Sequence, residues 1–466
     1  SWKEYKSMIV DENYVFDPET MQITYTTTTY GDMLDLSVGG FGDAVVLSHT
    51  YGRIIFDRPV TSMDFDVFKY VRNARGNLEF SYKLKTLTLP TTITEIPYNA
   101  FASCYNLKNA PLRNTVKSIG ANAFKNCRAL TNVEVPNSVI TIGANAFEGC
   151  TNLTRITAGY SVTSVGASAF SGCTKLQTVF ISGNNATIAA NAFANCGAIT
   201  SVKFDSVASI YDNAFQNMTN LKSVILGNSL TAIPQYAFSG CSALESITIP
   251  SSVTTIGVRA FESCTKLTSV NIAEGVEKIE ERAFSKCNGL TKFVMPNSVT
   301  ETGVFVFQSC ENLEEVTISD NLTTLGAGIL NKCAKLATIK GKNATEDGKC
   351  LIVNNVLHAF APVGVTSYSI PEGVTNIGNM MFIGNTNLTS VTIPSTVVRI
   401  EEQAFKNCSN LNSVTCKAAN PPVLGDDMCF DSNKSGRKIY VPSASVESYK
   451  SATKWTEYKD SIVAIQ

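Results

Sequence analysis

Apolar and small polar residues alternate along this chain in a pattern that returns about every 23 residues between Phe101 and Phe405. One copy runs Cys127-Arg-Ala-Leu130-Thr-Asn-Val133-Glu-Val135-Pro136-Asn-Ser-Val139-Ile-Thr-Ile142-Gly143-Ala-Asn-Ala146-Phe147-Glu-Gly-Cys150, and the last cysteine starts the next. Leu244, Ile247 and Ile249 keep the every-second-residue spacing of a strand with one inward face, and Pro250 ends it because proline cannot donate the next ladder bond. Val253 and Ile256 predict a second inward segment, Gly257 a tight corner, and Ala260-Phe261 the closure to the next copy. A copy this short cannot hold a long helix beside a strand and two turns. It cannot bury its own apolar face either, so neighbours must cover it. The pattern predicts a β-rich repeat solenoid of thin rungs.

The aromatic anchor sets the register. Phe101, Phe124, Phe147, Phe170 and Phe193 are 23 apart, Phe215 follows at 22, and Phe238, Phe261, Phe284, Phe307 and Leu330 resume the step. Phe382 follows after 52 residues and Phe405 after 23. Three residues beyond the anchor stands a cysteine in eleven of these thirteen copies, with Met218 and Asn385 as the exceptions. Ile54, Phe56, Val60, Met63 and Phe68 keep the internal offsets and predict a degenerate first rung.

This ruler divides the chain. Residues 1–50, with Trp2, Tyr5, Tyr14, Phe16, Tyr25 and Tyr30, are out of register and are expected to form a β-rich cap or small domain. Residues 51–418 form the solenoid. Its long interval holds an insert of 29 residues, at about 341–369, in which two β-rich runs flank Asn354-Asn355, as in a hairpin. Residues 419–466 are expected to cap the end. There Ile439-Tyr-Val441-Pro442 imitates a last strand, and Val446, Tyr449, Ala452, Trp455 and Tyr458 predict an amphipathic helix capped by Ser443 or Ser445.

Composition narrows the function. The 466 residues are 44% hydrophobic and 17% charged, with net charge −1 and a pI near 6.2, which offers no basic surface for nucleic acid. No apolar run approaches the roughly 20 residues of a membrane helix. The start at Ser1, without a signal-like segment, is expected of a processed product. Fourteen cysteines with no Cys-x-x-Cys pair and only His49 and His358 speak against a metal site. Stacked at the rung spacing of about 4.8 Å, the repeating cysteines read as one inward column of small hydrophobes, each able to donate weakly to a carbonyl. Cys350, Cys416 and Cys429 lie off the column and are the candidates for a bridge. Gly-x-Ser-x-Gly, His-Glu-x-x-His and phosphate-loop motifs are all missing from the sequence, and Glu280-Glu281 and Glu401-Glu402 read as solvated charges in turns. No catalytic residue or cofactor is expected.

The pattern Cys-x-x-Leu-x-x-Val-x-Ile-Pro-x-x-Val-x-x-Ile-Gly-x-x-Ala-Phe resembles the BspA-like (Treponema pallidum-type) leucine-rich repeats of surface proteins in gut and oral Bacteroidetes. The resemblance covers roughly residues 51–418 and implies a right-handed leucine-rich-repeat superhelix. It also implies a secreted or cell-surface protein that binds host matrix proteins, other cells or glycans. The outward strand positions include Phe180, Lys203, Ile225, Thr248, Asn271 and Val294, and these six are the candidate binding residues. Phe180, Lys203 and Ile225 fall on successive rungs and predict one mixed apolar and cationic patch. A sheet face poor in Trp and Tyr favours a protein ligand over a glycan. The alternatives are a glycan site in the aromatic-rich residues 1–50, or a rigid surface spacer of about 70 Å.

Overall fold

The computed structural model describes residues 16–29, 33–36, 40–64, 66–68, 70–72, 75, 78–80 and 83–466, in two compact units, Ser1–Leu230 and Thr231–Gln466. Both are parallel β-solenoids. In the first unit the strands Asn132–Val135, Arg155–Ala158, Thr178–Ile181, Ser201–Phe204 and Ser223–Ile225 pair in that order, all parallel. A second sheet runs from Glu95–Ile96 through Ser118–Ile119, Thr141–Ile142, Ser164–Val165 and Ala186–Ile188 to Val207–Ile210. A regular rung therefore lays one strand on the first sheet, turns after it, and adds two to four residues to the second. Residues 23 apart become lateral neighbours, as Val133 and Ile156 are, and the apolar positions of both sheets are buried between them. The 22-residue step is absorbed by a register shift between Ala186 and Thr187. The second unit repeats the plan, with first-sheet strands such as Ser246–Ile249 beside Ser269–Ile272, and Lys292–Val294 beside Glu315–Thr317 and Thr338–Lys340.

The corners depend on backbone that few side chains favour. Two residues before and two after most anchors adopt positive φ, as at Asn145 (54°) and Gly149 (70°) around Phe147. Asparagine, glycine and serine hold many of these places, but Arg259 sits there at φ 52°. A left-handed conformation costs such a residue roughly 1–2 kcal/mol. Arg259→Asn is therefore expected to stabilise the protein by about 0.5–1 kcal/mol in denaturant melts. The glycine after the short strand has a different cause. A Cβ on Gly326 would lie 2.1 Å from the backbone of Gly303 in the preceding rung, so the close approach of two rungs requires it.

Inside the rungs, two columns fill the core. Phe101, Phe124, Phe147, Phe170, Phe193 and Phe215 stack with ring centroids 5.1–5.5 Å apart in the first unit. Phe238, Phe261, Phe284 and Phe307 do so at 5.3–5.9 Å in the second. The cysteines run alongside as expected, with thiols of the column donating to the anchor carbonyl of the preceding rung, as Cys150 does to Phe124 at 3.2 Å and Cys287 to Phe261 at 3.1 Å. All fourteen cysteines are free and buried. Cys350 pairs with the Tyr368 hydroxyl, Cys416 with that of Tyr449, and Cys429 with Asp426, so none of the three bridge candidates forms a disulfide.

The start of the first unit is more elaborate than a single degenerate rung. Strand Gln22–Thr27 slots antiparallel between Arg53–Phe56 and Leu84–Thr88, with Val46–Thr50 outside. The Phe68 ring still stacks on Phe101 at 5.0 Å, so the anchor column begins where its offsets place it. In the second unit, the insert forms an antiparallel hairpin of Cys350–Val353 and Val356–Phe360 around Asn354 and Asn355, both at positive φ. Its second strand pairs parallel with Asn376–Ile377, so the hairpin supplies the edge of the last stretch of the second sheet.

The tail corrects the expected continuous helix. A 3-10 turn at Ser443–Ser445 leads into a six-residue α-helix, Val446–Ser451, and the chain breaks before a second 3-10 segment, Trp455–Ser461. Neither serine side chain caps a helix, and Lys454 takes φ 66°. A strict three-residue step drifts off one face of a 3.6-residue helix within two turns. The break returns Trp455 to the core, where its indole N–H donates to the Pro422 carbonyl at 2.7 Å. Strand Ile462–Ala464 then adds to Lys438–Val441, beyond the strand that the sequence marks as last.

Candidate functional site

The six candidate residues all lie on first-sheet strands at positions facing away from the core, but they divide among separate sheets. Phe180, Lys203 and Ile225 are direct lateral neighbours in the first unit. Thr248 and Asn271 pair in the second unit, and Val294 belongs to another sheet beside Thr317 and Lys340. The first trio forms one surface. The Lys203 ammonium lies 4.7 Å from the centroid of the half-buried Phe180 ring, and its Nζ is 3.2 Å from Asp205 Oδ1. Ile225 beside it is 52% exposed, which is unusual for an isoleucine on a face otherwise rich in serine and threonine. Val294 is also exposed, but its neighbourhood is ionic, with Glu315 bridging Lys340 at 2.8 Å and Lys292 at 3.9 Å.

The aromatic supply of residues 1–50 gives no exposed platform among the described residues. Tyr25 is buried and bonded to His49 at 3.0 Å, while Phe16 lies under Arg53. Trp2, Tyr5, Tyr14 and Tyr30 lie outside the described residues. Burial lowers both histidines below the ordinary imidazole range: His49 against the opposing charge of Asp35, and His358 alone on the hairpin. Of the adjacent acids, Glu280, Glu281 and Glu401 are ion-paired at the surface, with Lys278, Arg282 and Arg399 respectively. Among the described residues, no three metal-ligating side chains converge, and no helix is long and apolar enough to cross a membrane.

A second feature escapes the sequence pattern. Where Leu330 interrupts the phenylalanine column of the second unit, a cleft of about 820 Å³ opens between the corners 328–335 and 379–387 and the hairpin. Asn331, Asn379 and Asn385 line it, with His358 and the side chains of Met380 and Met381. Its one sequence signal is Asn385, which occupies a cysteine-column position.

Comparison with known proteins places this architecture. The model of the BspA-type leucine-rich repeat region matches residues 76–200, 117–245, 231–347 and 357–458. A leucine-rich repeat protein from Bacteroides ovatus aligns at 23% identity over 80% of this chain and 88% of its own, with a TM-score of 0.52. A leucine-rich cell surface protein from Faecalibacterium prausnitzii aligns at 26% identity over 77% of this chain and 95% of its own, with a TM-score of 0.40. The leucine-rich repeat protein of T. pallidum aligns at 25% identity over 46% of this chain and 78% of its own, with a TM-score of 0.28. No curated protein matches the chain.

Proposed function

The chain belongs to the BspA-type leucine-rich repeat family, and from that premise we propose a non-enzymatic scaffold, secreted or displayed at a cell surface, that binds an extracellular protein. In this reading residues 51–418 are the repeat scaffold, the segments 1–50 and 419–466 close it, and the ligand meets the outward strand face of the first unit. The observation that carries the proposal is the Phe180–Lys203–Ile225 surface. It joins an exposed aliphatic group and a half-buried ring with a cation over it, on three hydrogen-bonded strands. Protein interfaces concentrate their energy in a few such anchors, surrounded by contacts of little individual weight. The surrounding small hydroxylated residues form that kind of rim. A backbone fixed by parallel ladders also has little conformational entropy to lose on binding.

The test is surface plasmon resonance of the intact chain against a panel of matrix proteins. Ile225→Asp and Phe180→Ala are each expected to weaken the bound partner at least tenfold, whereas Val294→Asp changes affinity less than twofold. A partner held equally well by the parent and by Ile225→Asp would remove this face from the binding site.

A further inference from the structure

The break in the anchor column of the second unit leaves polar groups that the protein itself does not satisfy. Down the stack, each anchor N–H donates to the next rung: Phe261 to Ala283 at 2.8 Å, Phe284 to Val306 at 3.0 Å, Phe307 to Ile329 at 2.9 Å, and again Phe382 to Ala404 at 2.7 Å. Among the described residues, no such bond joins the rung of Leu330 to that of Phe382. The cleft between them, about 820 Å³, is within the size range of small-molecule sites.

Three amides that line this space each have one buried atom without a hydrogen-bond partner in the protein: Asn331 Oδ1, Asn379 Oδ1 and Asn385 Nδ2. Asn331 and Asn385 are only 8% and 9% exposed. The other ends of both are held, Asn331 Nδ2 on the Met380 sulfur at 3.7 Å and Asn385 Oδ1 by the Asn387 N–H at 3.1 Å. The unpaired atoms are therefore two acceptors and one donor, and their far ends hold Asn331 and Asn385 in place. Leaving buried amides unpaired destabilises a fold, so a group that pairs them is favoured. Asn385 sharpens the point, because the residue at its position normally satisfies itself. Cys333 donates to Phe307 at 3.2 Å and Cys408 to Phe382 at 3.0 Å, whereas the Asn385 amide has no such acceptor.

We infer that this cleft binds a neutral polyhydroxylated ligand of one or two sugar units. A hydroxyl both donates and accepts, so vicinal hydroxyls answer two amide oxygens and one amide N–H together. The charged groups of the lining are Glu311, Lys332 and Lys335, with the Lys335 ammonium tied to Asn312 at 2.8 Å, while all three unpaired atoms belong to uncharged amides. Met380 and Met381 give an adaptable apolar wall for the C–H face of a sugar ring. The inference stands apart from the protein-binding face of the first unit.

The experiment uses the full chain with neutral monosaccharides and disaccharides, read by saturation-transfer NMR and calorimetry. The same sugars immobilised on an array separate a free ligand from a surface glycan, and binding in either form supports the site. Asn385→Cys, which restores the repeat residue, and Asn331→Leu are each expected to weaken binding at least tenfold while the melting temperature holds or rises. Ile225→Asp is expected to leave sugar binding unchanged, so failure here and failure of the protein-binding face are read separately. The site is overturned if no neutral saccharide binds at millimolar concentration, if only charged saccharides bind, or if both asparagine variants bind as the parent does. A high-resolution structure in excess sugar with water alone on the three amides overturns it as well.

Discussion

Raising the pH from 8 towards 11 is expected to unfold the protein in one steep transition. Eleven thiols (Cys127, Cys173, Cys196, Cys264, Cys287, Cys310, Cys333, Cys350, Cys408, Cys416 and Cys429) are held above the ordinary range. Burial is the main cause for nine of them. For Cys173 and Cys196 the hydrogen bond to a neighbouring thiol of the column comes first. Cys429 is pushed up to about 11, and Cys310, Cys350 and Cys408 to about 12. The unfolded chain ionises its thiols near pH 8.5. The folded state thus favours the protonated, neutral form, and this contribution is complete below the unfolded value. It is lost as the pH rises from there towards the folded values. Each thiol withdraws about 1.4 kcal/mol per pH unit across that window, so eleven together overwhelm the 5–15 kcal/mol typical of a domain within about two units. Circular dichroism and thiolate absorbance, followed together under reducing conditions, are expected to change in the same transition. Thiolate appearing near pH 8.5 with the strand signal intact would show the column to be accessible, and the packing account would fail.

Removing one ring from the anchor column is expected to cost about 3–5 kcal/mol. Phe261 is fully buried, with ring centroids 5.5 Å from Phe238 and 5.3 Å from Phe284 and planes within 10°. Phe261→Ala opens a cavity that rigid rungs on both sides cannot close. Phe261→Leu should cost only about 1 kcal/mol, since Leu330 fills the same place in its own rung. Urea melts of the two variants check this. An alanine variant within about 1 kcal/mol of the parent would mean that the column is decoration on a core held elsewhere.

What could be read from the chain alone follows from which constraints are local. The strand, the proline stop, the anchor and the cysteine recur at fixed offsets because every rung faces an almost identical neighbour. The hairpin was legible because Asn354-Asn355 suits the positive φ of its turn. The left-handed corners were harder, since Tyr236, Arg259, Arg282 and Phe305 stand where asparagine stands in other rungs. Packing overrides propensity there. Strand Gln22–Thr27 carries no local mark that it will insert between two strands more than 25 residues apart. The outward trio was visible as a column, yet its meeting with Asp205 depends on a turn that the repeat does not specify. Asn385 was visible as an exception to the cysteine column. That it shares a cleft with Asn331 and Asn379 depends on where the insert brings the two rungs together.

In the proposed reading a protein ligand meets the outward strand face of the first unit, and hydrogen–deuterium exchange with side-chain footprinting of the intact chain, free and bound to a matrix-protein partner found by the panel, decides it. Protection is expected across residues 178–181, 201–204 and 223–225, with Phe180, Lys203 and Ile225 shielded from labelling. Protection confined to other surfaces, with these three side chains labelled as fast in the complex as in the free chain, would contradict the account.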